Sequence, residues 1–428
     1  MKDLTEALSK WGEEGTLRQL LPLEHGEEGG RVRLPMAGEA GKTPQWREML
    51  DFSSNDYLGL SRHPQLLTAA AEAMGRWGTG AGAARLLSGN LEIHRQLEEA
   101  LALLTGREAA LLFGSGYLAN IGVIPALLGR HDTVFCDRHS HASIYDGCRL
   151  AGAKLHRFRH NDCNHLEELL RRHRGHNEAL IIVESLYSMD GDIAPLPELI
   201  TLKERYQCRL LVDEAHAIGV FGEHGGGLCA AAGVAERVDL LLGTLGKALG
   251  SYGAFVAGER TTIAYLLNRA RSFIFATAPP PATTAAGLAA VKLLAAEPQL
   301  LQELEQKVEF FKNHLRELEI GTELGPSQII PLPVGKSDAA LQLAATLRDK
   351  GIFTVAIRPP TVPAGTARLR LSITRHLDEN DLAEAAMLLA KAWPAASGDT
   401  GQAEPVASES LADSNAWRQV KIKGQSGK

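Results

Sequence analysis

The sequence predicts an α/β fold: a large domain on a mainly parallel sheet with helices on both faces, followed by a smaller C-terminal α/β domain. Three observations carry this. Short apolar runs alternate with helical segments through the middle of the chain, as parallel sheets require. Polar, chemistry-bearing residues follow those runs directly. A second, shorter strand–helix–strand–strand–helix pattern comes after a long helical stretch.

The elements follow in order. Residues from about Leu4 to Leu23 read as an amphipathic helix and a connector, within an N-terminal helix and arm spanning 1–50. "DFSSNDYLGLS" opens the compact part, and 51–290 forms the large domain. Its apolar runs "DTVFC", "KLHRF", "ALIIVES", "RLLVDEAH", "VDLLLGT" and "GAFVAGE" read as buried strands. "HASIYDGCRLAG", "HLEELLRRHR" and "LPELITLKERY" read as the helices between them. A long helical region from Pro279 to Leu318 carries the chain out of the sheet domain. The smaller domain, 291–395, contains "QIIPLPVG", "AALQLAATLRDKGIFTVAIRPP", "ARLRLSIT" and "LAEAAMLLAKAW". Residues 396–428, rich in small and polar residues, read as a disordered tail.

Composition narrows the function class. A net charge of −6 gives no pull toward nucleic acid or an anionic membrane, so neither is an expected partner. The five cysteines form no C-x-x-C pair, which suits reduced thiols in the cytoplasm. The first residues are too charged for a signal peptide, and no apolar run reaches the ~18 residues of a membrane span.

Three strand ends carry the candidate chemistry: "IIVESLYSMDGD" with Glu184, Ser188 and Asp190, "LLVDEAHAIGVFG" with Asp213 and His216, and "LLGTLGKALG" with Thr244 and Lys247. Ligands of such sheets bind outside the carboxyl ends of the strands. Lys247 sits among four glycines. A phosphate loop needs a first Gly and a Ser or Thr after the lysine; here Leu241 and Ala248 stand there. A turn lysine and a covalent cofactor anchor remain. An anchor must lose its proton part of the time and be free to move, and flanking glycines reduce crowding around it.

The anchor reading needs a carboxylate for a pyridine nitrogen, and Asp213 at its strand end is placed for that. His216 is placed to hydrogen-bond a phenolic oxygen. "FGSGYLAN" leads Gly114, Ser115, Gly116 and Tyr117 into a helix, a phosphate-binding arrangement, and Thr244, Ser188 and Ser251 offer hydroxyls. In "DRHSHASI", His139 and His141 lack the further ligands of a familiar metal spacing, so no metal is expected; stacking on the pyridine ring suits His141 better. G-x-S-x-G is absent, which disfavours a serine hydrolase.

Taken together, "DFSSNDYLGLS", "GTGAGAARLLSGN", "LFGSGYLAN", "DRHSHASI", "ESLYSMDGD", "VDEAHAIGVFG", "GTLGKALG" and "RPPTVPAGTARLRLS" resemble, in order, the motifs of the α-oxoamine synthases. These are a branch of the fold-type I pyridoxal phosphate enzymes, and the likeness runs from about Leu17 to Trp393. It implies pyridoxal 5'-phosphate as cofactor, an acyltransferase activity, and a homodimer with sites at the interface. By motif, Lys247 matches the anchoring lysine, Asp213 the partner of the pyridine nitrogen, His216 the group near the phenolic oxygen, and His141 the stacking ring. Gly116, Tyr117, Ser188 and Thr244 match further cofactor contacts, and Thr277 in "FIFATAPPP" one reaching the partner's phosphate. Asn55 and Arg370 match residues that hold the amino-acid carboxylate, and Arg18 and Thr361 other substrate contacts. Ala83 and Ala84 replace a frequent Gly-Ser, and Tyr117 a frequent Phe. "AIRPPTVPAGTARLRLSIT" and "HNDCNHLEELL" look most like the member that condenses L-alanine with a pimeloyl thioester, carried on coenzyme A or an acyl carrier protein; the alternative is a glycine C-acetyltransferase.

Overall fold

The computed structural model describes residues 3–13, 16–18, 20–36, 45–321 and 324–397; the tail from residue 398 onward lies outside the described residues. Three sheets organise the described residues. The first begins as an antiparallel meander of β1 (Glu24–His25), β2 (Arg31–Pro35) and β3 (Trp46–Asp51).

The central sheet holds β4 (Ala109–Phe113), β5 (Thr133–Asp137), β6 (Lys154–Phe158), β7 (Ala179–Glu184), β8 (Arg209–Asp213), β9 (Leu240–Thr244) and β10 (Ala254–Gly258). Their spatial order is β4-β10-β9-β8-β7-β5-β6. The five strands from β9 to β6 are parallel, while β10 runs antiparallel to both β9 and β4. All of β5 and β7 is buried, because helices cover both faces. Alternate residues feed opposite cores: Ile181, Val183 and Val212 one, Leu180, Ile182 and Leu211 the other. The parallel register sets Glu184 opposite Asp213, and Asp213 opposite Leu242. The carboxyl ends of β5, β7, β8 and β9 therefore share one edge, where Asp137, Glu184, Asp213 and Thr244 stand.

The third sheet consists of β11 (Ile329–Gly335), β13 (Ala356–Ile357) and β14 (Ala367–Ser372), in the order β11-β14-β13. Between them β12 (Ile352–Phe353) joins the N-terminal meander instead, pairing parallel with β3 through Ile352 and Leu50. Arg31 also pairs with Asp381 at 2.9 Å, so β2 and β3 pack with the last third of the chain. The helix Pro281–Ala296 lies against Pro64–Trp77, a helix that the sequence pattern did not single out. Among the described residues no helix is long and apolar enough to cross a membrane.

Candidate active site

The lysine loop spans the gap between β9 and β10. Leu245 N–H donates to Gly253 O at 2.9 Å, Ser251 N–H to Leu245 O at 2.8 Å, and Gly250 N–H to Lys247 O at 2.9 Å. Gly250 has φ of +59°, and a Cβ there would lie 2.4 Å from Ser61 N. At Gly243 a Cβ would meet the Phe255 ring at 2.5 Å. These two glycines answer to backbone conformation and packing rather than to clearance around the lysine.

Lys247 itself is half-buried. Burial pushes its amine down to about 8; the Asp213 and Glu184 carboxyls pull it back up, and Arg370 pushes it lower. Among the described residues the Lys247 Nζ has no hydrogen-bonding partner.

Around it, Asp213 is buried and accepts from Asn120 Nδ2 at 3.1 Å and from Ala215 N–H at 3.0 Å. Asn120, on the helix Gly116–Leu127, also donates to Ser143 Oγ at 3.0 Å. His141 caps the helix Ala142–Ala151, with Nδ1 2.7 Å from Ser143 Oγ, and stands exposed at the cleft. Its backbone N–H donates to Glu184 Oε1 at 2.6 Å. Burial, and then the neighbouring Asp213, lift the Glu184 carboxyl to about 8.

A second cluster joins β14 to the segments that follow β3 and β7. Arg370 on β14 is buried and donates to Ser188 O at 2.5 Å, Ser372 Oγ at 3.0 Å, Asn55 Oδ1 at 3.1 Å and the Tyr57 hydroxyl at 3.3 Å. Among the described residues no carboxylate pairs with it. A buried guanidinium surrounded only by neutral acceptors calls for an anion from outside the chain. His216 lies alongside, its Nδ1 2.6 Å from the Tyr57 hydroxyl.

At the other end, Ser115 caps the helix Gly116–Leu127 by accepting from Leu118 N–H at 3.2 Å. Among the described residues the N–H groups of Gly116 and Tyr117 have no acceptor, which leaves an anion site at the helix start. A Cβ on Gly116 would reach within 3.1 Å of the Thr244 methyl, so this cradle is shaped for backbone approach. The Tyr117 hydroxyl donates to Asp146 at 2.8 Å, and Thr244 Oγ1 to Ala215 O at 3.2 Å. A depressed lysine, a strand-end carboxylate and a free helix N-terminus are the donor set that pyridoxal 5'-phosphate needs, so the residues fit that group.

Three expected residues stand apart within the single chain. Arg18 and Thr361 are exposed, the latter in a turn where its N–H donates to Arg358 O. Thr277 is exposed and forms an isolated bridge with Ala84.

His139, His160 and Asp190 bring donor atoms close enough to share a metal ion. Burial opposes charge on His160, but its contacts to Asp137 at 2.9 Å and Asp192 at 2.6 Å outweigh it and lift the imidazole to about 10. His139 stacks on it at 4.1 Å and contacts Asp190, which Arg368 also pairs.

Residue patterning alone left Tyr57, Asn120 and Ser143 without roles. Tyr57 is two positions from Asn55, and Asn120 is one helical turn after Gly116, so spacing alone offered a signal for each.

The model of the class I and II aminotransferase family matches residues 47–389. The chain belongs to that family. It is 45% identical over 392 residues to 8-amino-7-oxononanoate synthase of Geobacter sulfurreducens, covering 91% of this chain and 97% of that one. With the enzyme of that name from Anaeromyxobacter dehalogenans it shares 50% over 332 residues, covering 78% and 83%. Among solved structures, serine palmitoyltransferase of Sphingomonas wittichii superposes with a TM-score of 0.85 at 29% identity, covering 93% of this chain and 99% of that one. The 8-amino-7-oxononanoate synthase of Francisella tularensis gives 0.68 at 28% identity, covering 80% and 97%. The fold predicted from the sequence, a large α/β domain with a smaller C-terminal one, is the fold of these neighbours.

Proposed function

We propose that this protein is a pyridoxal-phosphate-dependent acyltransferase that condenses L-alanine with a pimeloyl thioester, releasing carbon dioxide and the thiol and forming 8-amino-7-oxononanoate, in biotin biosynthesis. The observation that carries the site is the buried Arg370, without a carboxylate partner among the described residues, in the same electrostatic neighbourhood as the depressed Lys247. The relatives at 42–50% identity carry the choice of reaction.

Lys247 would hold the cofactor covalently, with Asp213 at its pyridine nitrogen, His216 at its phenolic oxygen and His141 on its ring face. The free N–H groups of Gly116 and Tyr117 would receive its phosphate, with hydroxyls from Ser188 and Thr244 and from Thr277 across a dimer interface. When bound, this group supplies an electron sink for charge that develops at the amino-acid Cα. The chain does the rest. Arg370 binds the substrate carboxylate as a charged donor. Asn55 has its Oδ1 committed to Arg370, which leaves its Nδ2 to add a second donor. Together they fix which Cα bond faces the sink. Lys247, whose amine titrates near 8, takes the Cα proton as general base and returns one at the end. His141, at the cleft, polarises the thioester carbonyl. Arg18 and Thr361 contact the acyl substrate.

A homodimer completes the reading. Leu86, Leu87, Tyr252 and Phe275 leave 50%, 77%, 56% and 71% of their surface exposed, an apolar set that a second copy would cover, and Phe275 is two residues from Thr277. The unpaired thiols suit a cytoplasmic enzyme.

The test crosses L-alanine and glycine with pimeloyl and acetyl thioesters, each acyl group on coenzyme A and the pimeloyl group also on acyl carrier protein, with products read by mass. Alanine with a pimeloyl thioester should give the highest kcat/KM. Turnover confined to glycine and acetyl-coenzyme A would replace this reading with glycine C-acetyltransferase.

A further inference from the structure

Tyr57 has no part in the mechanism above, yet its hydroxyl is the junction of the site. The residue is fully buried. Its oxygen lies 2.6 Å from His216 Nδ1, 3.1 Å from Asn55 Oδ1 and 3.3 Å from the Arg370 guanidinium. A phenol has one proton to give, and a guanidinium can only donate. Arg370 therefore donates to the Tyr57 oxygen, and the Tyr57 proton goes either to Asn55 or to His216. Asn55 Oδ1 already accepts from Arg370 at 3.1 Å. His216 Nδ1 has no partner but Tyr57 among the described residues, and that contact is half an ångström shorter. The proton belongs to the His216 contact.

Burial, with Lys247 and Arg370 nearby, pushes His216 well below the usual histidine range, so the ring is neutral and carries one proton. If Nδ1 accepts, that proton is on Nε2. We infer that Tyr57 is a positioning residue that fixes His216 as its Nε2–H tautomer and ties the substrate-carboxylate site to the hydrogen bond His216 gives the cofactor. Only this tautomer lets His216 donate from its other edge. When Arg370 takes a carboxylate, the donor on the Tyr57 oxygen changes, and the change reaches His216 one hydrogen bond later. The cofactor half of this inference rests on the proposed function; the tautomer half does not.

The experiment uses full-length protein labelled with 15N-histidine, with and without pyridoxal 5'-phosphate, and assigns His216 through His216→Gln. Wild-type His216 should show a protonated Nε2 and an unprotonated Nδ1. Tyr57→Phe keeps the ring and removes the hydroxyl, and should abolish that preference. Asn55→Ala should leave the tautomer in place. In the holoenzyme, Tyr57→Phe should also move the pH midpoint of the cofactor absorbance and raise the alanine KM about tenfold. A wild-type His216 protonated on Nδ1 would overturn the inference without any variant, and so would an unchanged tautomer in Tyr57→Phe. A cofactor spectrum indifferent to Lys247→Ala would sink the proposed function instead, leaving the tautomer result standing.

Discussion

Lys247→Met should make the cofactor-free protein more stable, although it destroys the enzyme. The folded chain holds this amine near 8, against an ordinary value of 10.5. At roughly 1.4 kcal/mol per pH unit, keeping it charged inside the fold costs about 3 kcal/mol. The sign follows from proton counting. Below pH 8 the lysine is charged in both states, and the full cost is present. Between about 8 and 10.5 the unfolded chain binds the proton and the folded chain does not, so stability rises with pH. Above that range the cost is gone. Methionine is similar in volume and apolar, and such exchanges cost under about 1.5 kcal/mol. The net gain is about 2 kcal/mol at pH 7. Urea denaturation of cofactor-free wild type and variant at pH 7 and pH 10 measures it. A variant no more stable than wild type at pH 7, or an advantage undiminished at pH 10, would refute the account of Lys247 as a destabilised base.

Arg370→Lys keeps a charge but loses the fork that binds four acceptors at once; the alanine KM should rise about 10- to 100-fold in steady-state kinetics. Gly250→Ala places a Cβ 2.4 Å from Ser61 N at a φ of +59°, and should lower stability by about 2 kcal/mol or more in thermal denaturation. His160→Gln removes a cation held between two carboxylates. Because the folded pKa is raised from 6.5 to about 10, the loss should be full below about pH 6.5, up to about 5 kcal/mol, and fade as pH rises through 10, as denaturation at pH 6 and 10.5 will show.

The central sheet was legible because strands buried on both faces read as unbroken apolar runs; β5 and β7 are of this kind. Its direct consequence, carboxylates and hydroxyls at the strand ends, was legible with it. The N-terminal meander was not. β2 alternates buried and half-buried positions over only five residues, and β1 is two exposed residues. The sheet they belong to is completed by β12, which pairs with β3 from some 300 residues away, and no local pattern can announce that. Tyr57 was hidden differently. Its side chain sits in a hydrophobic core and reads as one more apolar position, while its hydroxyl meets His216 and Arg370 from two distant segments. Local sequence encodes which residues face inward; it does not encode which inward atoms touch. The glycines around Lys247 make the same point, since Gly250 is required by Ser61, far upstream.

The pairing of β3 with β12 also bears on synthesis at the ribosome. Chains fold by domains from the N-terminus as they emerge. The seven strands of the central sheet are all made by Gly258, so that sheet can close early. The strands β1, β2 and β3 are made before that sheet, but β3 waits for Ile352–Phe353 and Arg31 for Asp381 before they are paired. Throughout that interval the nascent protein carries an open strand edge. A segment that leaves the tunnel ahead of the central sheet is thus among the last to settle.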